Sequence, residues 1–307
     1  MLMNTFLFSL FLLVVAAPSA SAVDEPYRVD TFPVRSGGTL TVQTSGGSIT
    51  VTGTNKNEAR VEMIVRRNGS TVRAGDADLS DWRISIRKDG NNVIAIAERK
   101  NTSSGNIWTG YNNLSISFAV QVPNTYSTKL GTSGGAIRMS NLSGMHEAKT
   151  SGGSLDFDKM SGEITGRTSG GSINADGING TFDVATSGGS IRVDDIEGKV
   201  TLNTSGGSIR IDNARGSFDA STSGGSITAT LIKVTGPIDL STSGGSVTVS
   251  VPRDLGFNLD ARGNRVVADD VSFNGRTERD RMSGTVNGGG VPIRLRTSAG
   301  TVRITTE

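Results

Sequence analysis

Residues 150–221 read TSGGSLDFDKMSGEITGR, TSGGSINADGINGTFDVA, TSGGSIRVDDIEGKVTLN and TSGGSIRIDNARGSFDAS, successive units of 18 residues. The same Thr-Ser-Gly-Gly string begins at Thr132, Thr222, Thr242 and Thr44, and a degraded copy, Thr297-Ser-Ala-Gly, lies near the end of the chain. Self-similarity at a fixed short period is the signature of a stacked array, in which each unit buries its apolar face against its neighbours. Inside each unit the apolar residues fall two apart after a glycine: Ile191 and Val193 after Gly189, Val200 and Leu202 after Gly198. That spacing is strand alternation, not the 3.6-residue period of a helix. The residues between them, Arg192, Arg210, Asp183, Thr201 and Asp219, are then expected to face water.

Each unit therefore reads as two short strands joined by two tight turns. Equivalent positions carry like residues, as in the series Leu155, Ile173, Ile191, Ile209, Ile227 and Val247. Parallel, in-register stacking at about 4.8 Å per layer satisfies all of them with one rule. An antiparallel meander would need a covering layer of helix or second sheet, and no stretch offers a helix of useful length. The expected fold is all-β: a single-chain parallel β-solenoid of two short strands per 18-residue coil. The Gly-Gly pairs are expected to supply positive φ in the turns, and the hydroxyls to bond neighbouring backbone.

The expected organisation has four parts: a signal peptide at 1–22, an N-terminal β cap with the first repeat at 23–131, regular repeats at 132–250 and a C-terminal β cap at 251–307. The apolar run Phe6–Ala17 is too short to span a bilayer. Ala20 and Ala22 form an A-x-A pattern that places cleavage near Ala22. The mature chain holds no transmembrane stretch. Between the Thr44 copy and Thr132 a longer stretch breaks the period, with strands expected at Ala59–Val65, Trp82–Arg87, Asn92–Ala97 and Leu114–Val122. Residues 251–286 break it again, as capping sections of solenoids do.

The repeats, together with the approach Val122-Pro-Asn-Thr-Tyr-Ser-Thr-Lys-Leu-Gly-Thr-Ser-Gly-Gly135, resemble the bacterial putative-adhesin domain family over roughly residues 28–306. The resemblance implies a secreted or envelope-associated solenoid. It carries over no catalytic residue.

Composition closes several routes. The 307 residues contain no cysteine and one histidine, so disulfides, thiolate metal sites, iron–sulfur clusters and a cysteine nucleophile are excluded. A net charge of +2 is too small to imply a nucleic-acid partner. His146 stands where other units carry Ile164, Phe182 and Val200, so it reads as a partly buried residue of the first layer. Any Ser–His–Asp triad would have to use it. Asp158, Asp176, Asp194 and Asp212 recur in one column, readable either as turn-capping carboxylates or as a calcium ladder. The calcium β-roll pattern is absent, since Gly188-Gly189 is followed by Ser-Ile-Arg. Trp108 and Tyr111, in a polar loop with Trp82 nearby, are candidates for partner contact or for sealing the core end.

These readings point to a non-enzymatic protein without a cofactor, adhesive or structural, whose partner is an envelope protein or a surface glycan. Two alternatives stay open: an envelope-stress or signalling accessory that docks on another envelope protein, and a carbohydrate-active β-helix enzyme. The repeats contain no Trp or Tyr, which speaks against a long sugar cleft.

Overall fold

A computed structural model describes residues 25–100, 114–269 and 271–307. Among them there is no helix, and the strands join into one continuous hydrogen-bonded ladder. The units stack parallel and in register. Leu155 pairs with Ile173, Ile173 with Ile191, Ile191 with Ile209 and Ile209 with Ile227. All five are at most 1% exposed. The chain is thus the β-solenoid that the aliphatic column demands, because a column stacked at about 4.8 Å loses nearly all contact with water.

Each 18-residue unit forms one strand of 13 or 14 residues, as in Ile173–Thr186 and Ile191–Thr204, rather than two strands and two turns. Along Ile191–Thr204 the buried positions are 191, 193, 196, 200, 202 and 204, so the alternation is interrupted twice, by a gap of three that shifts its phase and a gap of four that skips one position. Two left-handed positions make those interruptions. Asp195 has φ 46° and Gly198 has φ 141°, and the same two positions are left-handed in neighbouring units, at Lys159 and Gly162, Gly177 and Gly180, Asn213 and Gly216. The strand bends there while its hydrogen bonds to the next layer continue.

The remaining junction is the Thr-Ser-Gly-Gly turn, where the expectation for glycine is corrected. None of the turn glycines in the repeats has a positive φ. The second one is required by the closeness of the layer before it: a Cβ on Gly171 would meet the carbonyl oxygen of Gly153 at 2.0 Å, and one on Gly189 would meet that of Gly171 at 2.1 Å. The first glycine is under no such constraint, since a Cβ on Gly170 would find its nearest neighbour at 3.6 Å. Each turn threonine is buried. Thr168 donates to Gly153 O at 2.9 Å and accepts from Gly171 N at 3.3 Å. Thr150, Thr186, Thr204, Thr222 and Thr242 repeat both bonds. The second serine of the motif also reaches across layers, as Ser190 Oγ accepts from Ser208 N at 3.3 Å.

Inside the coil the two sides pack on each other. Phe157 and Phe182 meet edge to face, with centroids 5.6 Å apart and planes at 88°. Gly166 occupies an inward position beside Phe157, and a Cβ on it would lie 3.0–3.1 Å from Val184, Leu155 and Phe157. Small and large residues thus alternate to fill a fixed cross-section. The longer unit, Ile227–Thr242, takes up its extra residues as register shifts against the preceding strand and leaves Ile232 43% exposed.

Strands near both ends of the described chain are threaded into the stack. Thr39–Thr44 lies parallel between Asn92–Arg99 and Ser127–Thr132, and Ile49–Thr54 between Leu114–Pro123 and the start of Ile137–Thr150. At the other end Val291–Thr297 lies between Phe257–Arg262 and the last part of Ile227–Thr242. Thr301–Thr306 lies between Arg265–Asp269 and Val247–Val251. Antiparallel strands then cover the open ends. Glu58–Arg67 and Arg28–Pro33 do so on one side and Trp82–Asp89 on the other, while Arg281–Val286 and Phe273–Thr277 cover the far end. The strands at 58–67, 82–89, 92–99 and 114–123 start within a residue of the positions the sequence predicts and end one to two residues later. Charged side chains such as Arg28, Arg83, Arg87 and Lys88 sit on the outermost strands, where they discourage further pairing.

Candidate binding face

The first four residues of each coil strand put two side chains inward and two outward, and register stacks the outward ones into two columns. One runs Arg138, Asp156, Asn174, Arg192, Arg210; the other runs Ser140, Asp158, Asp176, Asp194, Asp212. Between and over them lies a shallow groove of about 520 Å³ that spans the layers from Thr50 to Asp194.

The four aspartates of the sequence-predicted column do stand in adjacent layers, but they differ in surroundings. Asp212 is paired with Arg210 at 2.6 Å. Asp194 Oδ1 accepts from its neighbour's backbone, Asp195 N, at 3.0 Å and from Asn213 Nδ2 at 2.9 Å. Backbone capping is therefore found at Asp194. Asp158 and Asp176 make no hydrogen bond or ion pair among the described residues, and neither does the Arg192 guanidinium in the same groove. Beside them Asp156 is tied to Asn174 Nδ2 at 2.8 Å and to Arg138 at 3.5 Å. Among the described residues no group of three or more acidic or histidine side chains is gathered as a metal site would require. Asp158 and Asp176 are register partners one layer apart, where like charges repel.

Trp108 and Tyr111 lie outside the described residues, as does the segment 1–22. Trp82, the third aromatic of that group, is 7% exposed and belongs to the core. His146 is more deeply buried than its place in the repeat suggested, at 3% exposed, with Nδ1 3.1 Å from Thr128 Oγ1. Burial pushes its pKa down to about 4. Among the described residues no serine or carboxylate bonds the ring, so the arrangement is not that of an assembled nucleophilic triad. Nothing in the repeat distinguishes Arg192, which is unpaired, from Arg210, which holds the same place in its unit and is paired. Asp194 is drawn off by Asn213, and that bond is visible only in three dimensions.

A coil stack with threaded ends and a polar outer face defines the chain as a β-solenoid repeat protein. The sequence model of the Toastrack DUF4097 family matches residues 20–305, and the chain belongs to that family. Comparison with curated proteins returned no match. Among solved structures, the chain is similar to one described as a putative cell adhesion protein from Clostridium sporogenes ATCC 15579, at 12% identity over 92% of this chain and 100% of that one, with a TM-score of 0.23. It is similar also to one described as a putative adhesin from Bacteroides fragilis NCTC 9343, at 12% identity over 91% of this chain and 96% of that one, with a TM-score of 0.36. No helix among the described residues is long and apolar enough to cross a membrane.

Proposed function

We propose that this protein is a non-catalytic, secreted or envelope-attached solenoid that binds a charged partner along the groove bearing Asp158, Asp176 and Arg192. In this reading residues 1–22 are a signal removed near Ala22. The mature chain is then one continuous β domain with an N-terminal cap to residue 131, repeats at 132–250 and a cap from 251 onward. The observation that carries the reading is the unpaired set itself, two carboxylates and one guanidinium left without intramolecular partners in one groove. Charges of both signs in a shallow groove favour a partner that also bears both signs, and an extended segment of an envelope protein has that chemistry. A neutral glycan does not, and the groove lining contains no Trp or Tyr on which a sugar ring would stack. Many weak contacts along a rigid face give useful affinity when the partner is repetitive or clustered.

The test is crosslinking of the mature chain to its own envelope, followed by capture, with the wild type beside the triple variant Asp158→Asn, Asp176→Asn, Arg192→Ala. The reading predicts one salt-sensitive partner that the triple variant loses while it melts like the wild type. Equal capture by both proteins would refute it.

A further inference from the structure

The inner column that runs through Val93, Leu40, Thr128, His146, Ile164 and Phe182 is apolar except at two adjacent layers, Thr128 and His146. Their side chains are 1% and 3% exposed and bond each other at 3.1 Å through Thr128 Oγ1 and His146 Nδ1. His146 Nε2 is buried with no partner. This pair lies at the joint where the threaded N-terminal layers, through Ser127–Thr132, meet the first full repeat strand, Ile137–Thr150. We propose that it is an acid-released latch: protonation of His146 opens the joint between the N-terminal layers and the repeat stack, and leaves the stack beyond it closed.

The neutral ring has one N–H to place, and Nδ1–H toward Thr128 Oγ1 places it, which leaves only the Nε2 lone pair unbonded. The imidazolium carries two N–H donors, and the second would be buried without an acceptor. Among the described residues no charged group bonds the ring, although Lys129, Glu147 and Glu163 line one cavity with it. Lys129, Glu147 and Glu163, on the strands before, at and after His146, alternate to the outer surface, and Glu147 is held there by Lys149. The buried positions Leu130, Ile137, Met139, Leu142, Ala148 and Met160 of the same three strands are apolar. The buried threonines Thr132 and Thr150 are already committed to glycine carbonyls. Burial alone depresses the ring's basicity, to a pKa of about 4 against an ordinary 6.5. The closed joint therefore binds the proton less well than the opened one. The latch is at full strength above about pH 6.5 and weakens steadily as pH falls toward 4. Beyond His146 the equivalent positions are Ile164, Phe182, Val200 and Phe218, which have nothing to protonate.

Amide hydrogen exchange of the full chain between pH 7.5 and 4.5 tests this. Intrinsic exchange slows about tenfold per pH unit over this range, while opening of the latch becomes about tenfold more frequent per unit below about pH 6.5. Below about pH 6.5, amides in Ser127–Thr132 and Thr39–Thr44 are thus expected to exchange at a nearly level rate. Those in Ile191–Thr204 slow about tenfold per unit. In His146→Gln, which keeps a polar partner for Thr128 without titrating, the joint amides are expected to slow like the rest; His146→Ile, which restores the column, gives the same outcome should the first variant fold poorly. Joint amides that slow in the wild type as they do elsewhere would overturn the proposal. So would level rates in both regions, or level joint rates that persist in the variants.

Discussion

Thr168 donates its hydroxyl to the carbonyl oxygen of Gly153 at 2.9 Å, and the same oxygen is the atom that a Cβ on Gly171 would strike at 2.0 Å. One turn of the coil thus uses both halves of its motif against one atom of the turn before. The threonine fastens the layer and the missing side chain of the second glycine lets it approach.

The two glycines of a turn should accordingly behave differently. Gly171→Ala cannot be accommodated without separating two layers, and about 3 kcal/mol or more of stability should be lost. Gly170→Ala has ordinary contact distances and no positive φ, so its effect should stay within about 1 kcal/mol and can be favourable through the unfolded chain. Urea unfolding of the two single variants, compared at equal slope, checks this.

Thr168→Val keeps shape but leaves Gly153 O and Gly171 N with one fewer partner in a buried turn. A loss of about 1–3 kcal/mol is expected, and Thr168→Ser should restore a substantial part of it. A valine variant as stable as the wild type would show that the hydroxyl ladder is passive.

The solenoid was legible in the sequence because its governing constraint is periodic: Ile173, Ile191 and Ile209 repeat at the interval that places them over one another. The threading of Thr39–Thr44 between Asn92–Arg99 and Ser127–Thr132 was not. A layer stacked out of sequence order has the same alternation as one stacked in order, and periodicity carries no information about which neighbour it meets. The glycine turns were recognised for a conformational reason that proved to be a steric one, since close approach between layers leaves no mark on a single unit. At the candidate face the Asp column was evident from spacing alone. Which of its members are free depends on Asn213 and Arg210 side chains that reach across or along layers.

Phe157 and Gly166 are expected to be coupled. Gly166→Ala alone places a Cβ 3.1 Å from the Phe157 ring edge and close to Leu155 and Val184, an overpacking that should cost about 1–3 kcal/mol. Phe157→Leu alone loses the edge-to-face contact with Phe182. Combined, the two should cost less than their sum, and a double-mutant cycle in urea measures the difference.

Asp239 has its pKa raised by partial burial first and by the neighbouring Asp219 second, against the attraction of Arg296 and Arg294. The folded state therefore holds the proton more tightly than the unfolded chain, so the stability tied to this group is present at low pH and lost as pH rises through the folded value. Asp239→Asn should raise the melting temperature at pH 7, and the gain should vanish near pH 3. A gain that is the same at both pH values would contradict this assignment.

The most direct test of the stacked coil uses the absence of native cysteine, which lets spin labels be placed in pairs at single introduced cysteines. Arg138 and Thr248 are outward positions of one column, linked through Asp156, Asn174, Arg192, Arg210 and Thr228. Six parallel layers put their backbones about 29 Å apart, and the four layers from Arg138 to Arg210 about 19 Å apart. Pulsed electron spin resonance should return distances that grow by about 4.8 Å per unit. Growth of about 9.6 Å per unit, as two antiparallel strands per unit would give, or no regular growth at all, would contradict the account.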